Sequence, residues 1–322
     1  MKKYSSIFER YYANEIFIDR FLEKPEEGVT VIIPTIHTNE LWRANLMSIY
    51  REVPVKELLI GDGGVVDDAN VIANEFPRVT IHNHRDFKSL GYSIRKLIES
   101  VKTDWFIYLH SDVFLPDGWY DGMKTHQNSY DWFGCRMRQT IMIEFDNDYG
   151  ERPYAGSQMG RTAAFTNGIQ SIDDDYVYRQ EDFVFSEIVR NGGFREGKID
   201  DLFHYHQMIQ KESPVWSPYD VKVHISQSLS KEQEIRIHNT QFRGAIKYLN
   251  PTSSTIIRTA IEGAVGLISN GQISRRELLD WINSTNPRWN SYVRRGLLKR
   301  QIYAATTSLK NKIRRLSSFI LR

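Results

Sequence analysis

A histidine and an aspartate stand one residue apart in His110-Ser111-Asp112, between the apolar run Trp105 to Leu109 and the turn Pro116-Asp117-Gly118. An imidazole and a carboxylate so spaced at a strand end can share one divalent cation. Oxygen donors suit Mg2+ and Mn2+, and an added imidazole moves the preference toward Mn2+. The plainer alternative is a turn capped by Asp112 with His110 packed at a sheet edge. Asp62 ends the run ELLIGDGG, where two glycines would let a ligand approach the backbone, although Asp-Gly is first of all a turn signal. Thr35 closes VTVIIPT. Glu181-Asp182 opens a helical stretch, where the helix dipole stabilises carboxylates. Capping accounts for Glu181, whereas Asp182 could act as a base if that helix start faces a ligand. His204 and His206 alternate on a short strand and share a face, so both metal ligation and a hydrogen-bonded structural role are open.

The elements that must position these groups follow from periodicity. Strands are expected at VTVIIP, ELLIGDGG, RVTIHNH and WFIYLH, and as a set they are nearly all apolar. Helices are expected at TNELWRANLMSIYRE (capped by Asn39 or Thr38), at VVDDANVIANEF, at SLGYSIRKLIESV, and at QEDFVFSEIVRNGGF with its Gly192-Gly193 stop. Strand and helix alternate four times, which predicts an α/β fold with a parallel sheet covered by helices. Ligands in such sheets sit at the carboxyl ends of the strands, so Thr35, Asp62, His110 and Asp112 should converge on one crevice. Beyond Trp119 the pattern is irregular, with short strands and a loop across residues 140–165. KIDDLFHYHQ reads as a short strand, and most of the chain from about 227 onward as helix.

In this order the segments VTVIIPT, LLIGDGG, WFIYLHSDVFLPDGW, SIDDDYVYRQEDFVFSEIVRNGGF and FHYH resemble the family 2 glycosyltransferases. The resemblance covers roughly residues 29–210 and implies a GT-A fold, Rossmann-like and mainly parallel. It implies inverting transfer of a sugar from a nucleotide-sugar donor to a hydroxyl acceptor, as in cell-surface glycan, polysaccharide or glycolipid assembly. On the matching positions, Pro34 and Thr35 would border the nucleoside pocket, and Asp62 would contact base or ribose. His110, Ser111 and Asp112 stand where the family carries Asp-X-Asp, with Asp112 the primary ligand of a Mn2+ or Mg2+ ion on the diphosphate. Asp182 would be the base, with Glu181 its first substitute. His204 or His206 would complete the metal shell. Two departures stand out: Gly61 replaces a carboxylate common before the glycine turn, and His110 replaces the first Asp of the metal motif. His110 therefore serves either metal or donor.

The 322 residues allow one large domain with appendages, and the single cysteine, Cys135, excludes an internal disulfide. The resemblance divides the chain into an N-terminal helical segment, 1–27, a catalytic domain, 28–225, and a helical C-terminal region, 226–322. Arg10, Glu15, Asp19 and Arg20 interrupt any signal-peptide core, and no stretch reaches the roughly 18 apolar residues of a membrane span. A cytoplasmic location is expected, either free or peripheral on the membrane face.

The net charge of +2 hides an asymmetry, because Pro287 to Arg322 holds ten Arg or Lys and no Asp or Glu. Leu298, Ile302, Ala305, Leu309, Ile313, Leu316 and Ile320 recur there at spacings of three or four. Such a segment either lies on an anionic membrane surface or packs its stripe on protein. The resemblance implies a glycan or lipid-linked acceptor, and membrane contact would suit the lipid-linked one. Nucleic acid is not expected as a partner, since the positive charge is confined to the tail. Two other readings compete. A sugar nucleotidyltransferase should show a glycine- and lysine-rich loop after the first strand, and TIHTNE offers none. A non-catalytic GT-A-like scaffold or carbohydrate-binding subunit would need neither Asp112 nor Asp182.

Overall fold

A computed structural model describes residues 25–35, 42–63, 73–87, 89–140, 156–174, 181–207, 231–303 and 306. The chain divides into two compact units, Met1–Asp175 with Glu181–Ser228, and Tyr176–Gln180 with Leu229–Arg322.

The first unit is organised by the apolar runs. β1 (Val29–Thr35) is buried along its whole length. It lies between β2 (Val55–Asp62) and β4 (Trp105–Leu109), and β3 (Val79–Asn83) flanks β2, all in parallel. A strand buried on both faces cannot alternate polar and apolar residues, which is why VTVIIP reads as a continuous run. α1 (Trp42–Glu52) and α2 (Leu90–Ser100) connect these strands, with the Ser89 side chain capping α2 through the Tyr92 N–H.

The expected parallel sheet is extended by antiparallel pairings. Its order is β3-β2-β1-β4-β7-β6-β8-β5. β7 (Ser157–Arg161) runs antiparallel to β4 and to β6 (Trp132–Thr140). The short β5 (Val113–Phe114) runs antiparallel to β8 (Glu196–Gln207). β8 spans 12 residues, longer than its sequence suggests, because a register shift near Cys135/Arg136 lets it follow β6 throughout. Between β5 and β6, Gly118 takes φ +77°, which only the turn glycine adopts at low cost. Glu52 then accepts from the Gly118 and Trp119 N–H groups and caps α3 (Trp119–Lys124). α4 (Glu181–Asn191) ends as expected: Phe194 N–H bonds to Val189 O and Gly193 N–H to Arg190 O, with Gly193 at φ +79°. The result is a mixed, mostly parallel sheet flanked by helices, a Rossmann-like GT-A architecture.

The second unit is helical: α5 (Lys231–Tyr248), α6 (Ser254–Ser269), α7 (Arg275–Thr285) and α8 (290–303). Ser274 and Glu277 form a capping box on α7. Phe242, Ile246, Ala260, Ala264, Ile282 and Trp289 fill its interior. Among the described residues no helix is long and apolar enough to cross a membrane. The helices expected at 1–27 and VVDDANVIANEF, the cap at Thr38 or Asn39, and the loop region expected across 140–165 lie wholly or mostly outside the described residues.

Candidate functional site

The parallel strands end on one edge, and β1–β2 register pairs Pro34 with Gly61 and Thr35 with Asp62. Thr35 is buried, and its hydroxyl finds no hydrogen-bond partner among the described residues. Asp62 is buried too, and its Oδ2 accepts from Arg85 Nε at 3.3 Å and Nη2 at 3.1 Å. Beside it His84 Nδ1 meets Ser93 Oγ at 2.7 Å, and the His84 ring stacks on Phe87 with centroids 4.3 Å apart. Burial, then the His82 charge, lowers the His84 pKa to about 4, so the ring is neutral. A Cβ at Gly61 would sit 2.5 Å from His84 Nδ1 and 2.9 Å from Ser93 Oγ. This pair occupies the room a side chain at position 61 would need.

β4 delivers His110 to the next point on the edge. Its backbone N–H bonds to Gly156 O at 2.9 Å, and Val113 N–H turns back onto His110 O. β5–β8 pairing sets Val113 opposite His206, so Asp112 and His206 meet although 94 positions separate them in sequence. His206 Nε2 lies 3.3 Å from Asp112 Oδ1 and 3.3 Å from His110 Nδ1. One donor atom from each of the three lies within 4.8 Å of the others. Two donors held about 2.1 Å from a common cation sit roughly 3.0–3.4 Å apart, so the spacing fits one divalent ion. Two imidazoles and a carboxylate form a borderline donor set, which favours Mn2+ over Mg2+.

His204 shares the strand face but not this triad. It is fully buried, its Nδ1 lies 2.7 Å from Ser157 Oγ, and its Nε2 has no hydrogen-bond partner among the described residues. Burial first, then the His206 and His110 charges, hold its pKa well below the ordinary value. Gly156, at φ +87°, backs onto all three rings. A Cβ there would be 3.2 Å from His206 Cδ2, 3.3 Å from His204 Nε2 and 3.4 Å from His110 Nδ1.

The start of α4 supplies the carboxylates. Glu181 is buried, with Oε1 4.0 Å from His110 Nε2. Asp182 Oδ1 accepts from Gln158 Nε2 at 2.8 Å. Burial, and next the Glu181 charge, push the Asp182 pKa well above the usual carboxylate value, with the Gln158 hydrogen bond opposing.

The sequence reading missed several groups. Tyr108 is fully buried, and its hydroxyl has no hydrogen-bond partner among the described residues. Desolvation and the charges of Glu181, Asp182 and Asp112 hold it un-ionised. Arg85 follows β3 in RDF, between the expected strand and the expected helix. Ser111 is buried, and its carbonyl accepts from Asn45 Nδ2 at 3.0 Å. Ser48 Oγ accepts from Leu115 N–H, and Arg51 Nη2 donates to Leu115 O. One face of α1 therefore grips the loop that carries Asp112. The recurrence of Asn45, Ser48 and Arg51 every third residue was a legible signal that the sequence analysis did not use.

No protein-family model matches the sequence, and no curated protein matches it. Solved structures do. Staphylococcus aureus TarS 1–349 in complex with UDP-GlcNAc shares 12% identity over 80% of this chain and 79% of its own, with a TM-score of 0.49. Glucosyl-3-phosphoglycerate synthase from Mycobacterium tuberculosis, in complex with Mn2+, UDP and phosphoglyceric acid, shares 14% over 68% and 82%, at 0.45. The bifunctional IspDF of Campylobacter jejuni shares 10% over 55% and 50%, at 0.38.

Proposed function

We propose that the chain is an inverting, metal-dependent glycosyltransferase that moves a sugar from a nucleotide-sugar to a hydroxyl acceptor of a glycan or lipid-linked substrate. The observation that carries this reading is one contact: Glu181 at the start of α4 comes within 4.0 Å of His110 in the His110–Asp112–His206 triad. A cation site and a pair of carboxylates, Asp182 among them with raised proton affinity, thus adjoin at the carboxyl edge of the sheet, where α/β sheets bind ligands.

His110, Asp112 and His206 would hold the ion, and Ser157 would keep His204 behind them as a neutral ring. A bound divalent cation would neutralise the charge that develops on a departing nucleoside diphosphate. Pro34, Thr35 and Asp62 border the nucleoside pocket in this reading, with Arg85 and the His84–Phe87 stack as its further walls and Ser111 beside the phosphates. Asp182 takes the proton of the acceptor hydroxyl. Its raised pKa brings its basicity closer to the working pH than an ordinary carboxylate's. A non-catalytic scaffold would have no use for two carboxylates whose burial costs stability.

The test is thermal unfolding with a panel of nucleotide-sugars, with and without Mn2+, because a ligand specific to the folded state raises the melting temperature. At least one should stabilise the wild type only when Mn2+ is present, and Asp112→Asn should abolish that shift while keeping its ligand-free melting temperature. Absence of any Mn2+-dependent shift across the panel, or an unchanged shift in Asp112→Asn, would defeat the proposal.

A further inference from the structure

The apolar stripe of the C-terminal segment admitted two uses, packing against protein or lying on a lipid surface. α8 separates them. Its packed side is Val293 and Leu297, buried like Trp289 just before the helix, and a Cβ at Gly296 would come 2.3 Å from the Ile261 side chain of α6. None of these belongs to the stripe. Leu298 and Ile302, which begin it, are 51% and 58% exposed. At 100° per residue they stand roughly 140° and 180° round the helix from Val293. With Tyr303 they are the large apolar side chains standing exposed among the described residues. Arg294 lies on one flank of this second face and Arg295 and Lys299 on the other, all exposed. The helix thus has a filled inner face and a separate outer one that the unit's core does not use.

We infer that this outer face docks on an anionic lipid surface. Charge decides among occupants. The segment from Pro287 carries ten basic residues and no acid, so a second copy laid face to face would oppose like charges. A nucleic acid would satisfy the arginines but gain nothing from a central apolar row. An anionic interface takes both, the row entering the acyl boundary while the flanking cations meet headgroups. In the sequence the row continues through Ala305, Leu309, Ile313, Leu316 and Ile320 at the same spacing. The inference does not depend on the transferase reading.

The experiment is flotation of the full chain with vesicles of phosphatidylcholine alone, or of phosphatidylcholine mixed with phosphatidylglycerol. Binding should appear only with the anionic lipid and fall as salt rises, since exposed charges are screened. Leu298→Glu with Ile302→Glu should lower partitioning about ten-fold or more, because the apolar contribution is lost and charge is added. Its melting temperature should stay unchanged. If that variant unfolds, Leu298→Ser with Ile302→Ser decides in its place. Failure to float with anionic vesicles, or equal flotation of wild type and variant, overturns the inference. So does self-association in light scattering that the same substitutions remove without any vesicle binding, which would make the face an interface between copies.

Discussion

Asp182 shows how a residue suited to proton transfer burdens the fold that holds it. Burial and the neighbouring Glu181 raise its pKa well above the ordinary 3.8. The folded chain therefore binds a proton at Asp182 more readily than the unfolded chain does. This residue's contribution to stability is fully present below 3.8 and is lost as pH rises through the elevated value. Asparagine keeps the acceptor for Gln158 but carries no charge. Metal-free Asp182→Asn should melt above wild type at neutral pH, with the difference closing at acid pH. Its kcat should fall on the order of 10²-fold or more, the usual scale for a lost general base. Calorimetric melts across pH and turnover on the identified donor test both halves. A lower melting temperature at neutral pH would contradict the assigned electrostatics, and wild-type turnover would move the base elsewhere, with Glu181 next. At this scale the sequence made Asp112, Asp182 and the two histidines legible as candidates through residue type and spacing. It left open which histidine joins His110, because β5–β8 register decides that for His206. Tyr108 was illegible, since one aromatic within WFIYL looks like any other core ring.

Elements positioned by their own pattern were legible, and elements positioned by others were not. β1, β2 and β4 are runs of apolar residues, and α4 carries its own Schellman stop, so short windows suffice. β6 interleaves Arg136 and Arg138 with Cys135 and Met137, and only pairing with β7 and β8 makes it a central strand. α1 was legible as a helix but not as a clamp, because its bonds to Ser111 and Leu115 span more than 60 residues of sequence. That clamp has a measurable consequence. Asn45→Ala removes the bond to the Ser111 carbonyl, one residue before Asp112, without touching any of the three donors. Supporting groups of this kind typically alter metal affinity by about 10–100-fold. Mn2+ affinity, read by calorimetric titration, should fall within that range. Unaltered affinity would show that the loop holds its geometry without α1.

At the scale of the molecule, the division into two units shows where the chain can be shortened. A cut that removes everything from 292 onward takes Val293 and Leu297, which are fully or almost fully buried, out of the helical unit. Each such side chain contributes about 1.5–3 kcal/mol through burial, a large part of the stability of so small a unit. A cut after Tyr303 leaves both in place. The shorter truncation should therefore melt like the full chain yet lose much of its attraction to anionic vesicles. The longer one should expose the interior of the helical unit and aggregate or lose a melting transition. Both truncated chains retain every candidate donor-site residue, since Pro34 through His206 all precede the cuts. Mn2+-dependent stabilisation by the donor should accordingly survive in the shorter truncation. Should the longer truncation melt like the full chain, Val293 and Leu297 would contribute nothing to the helical unit, and the assignment of α8's inner face would be wrong.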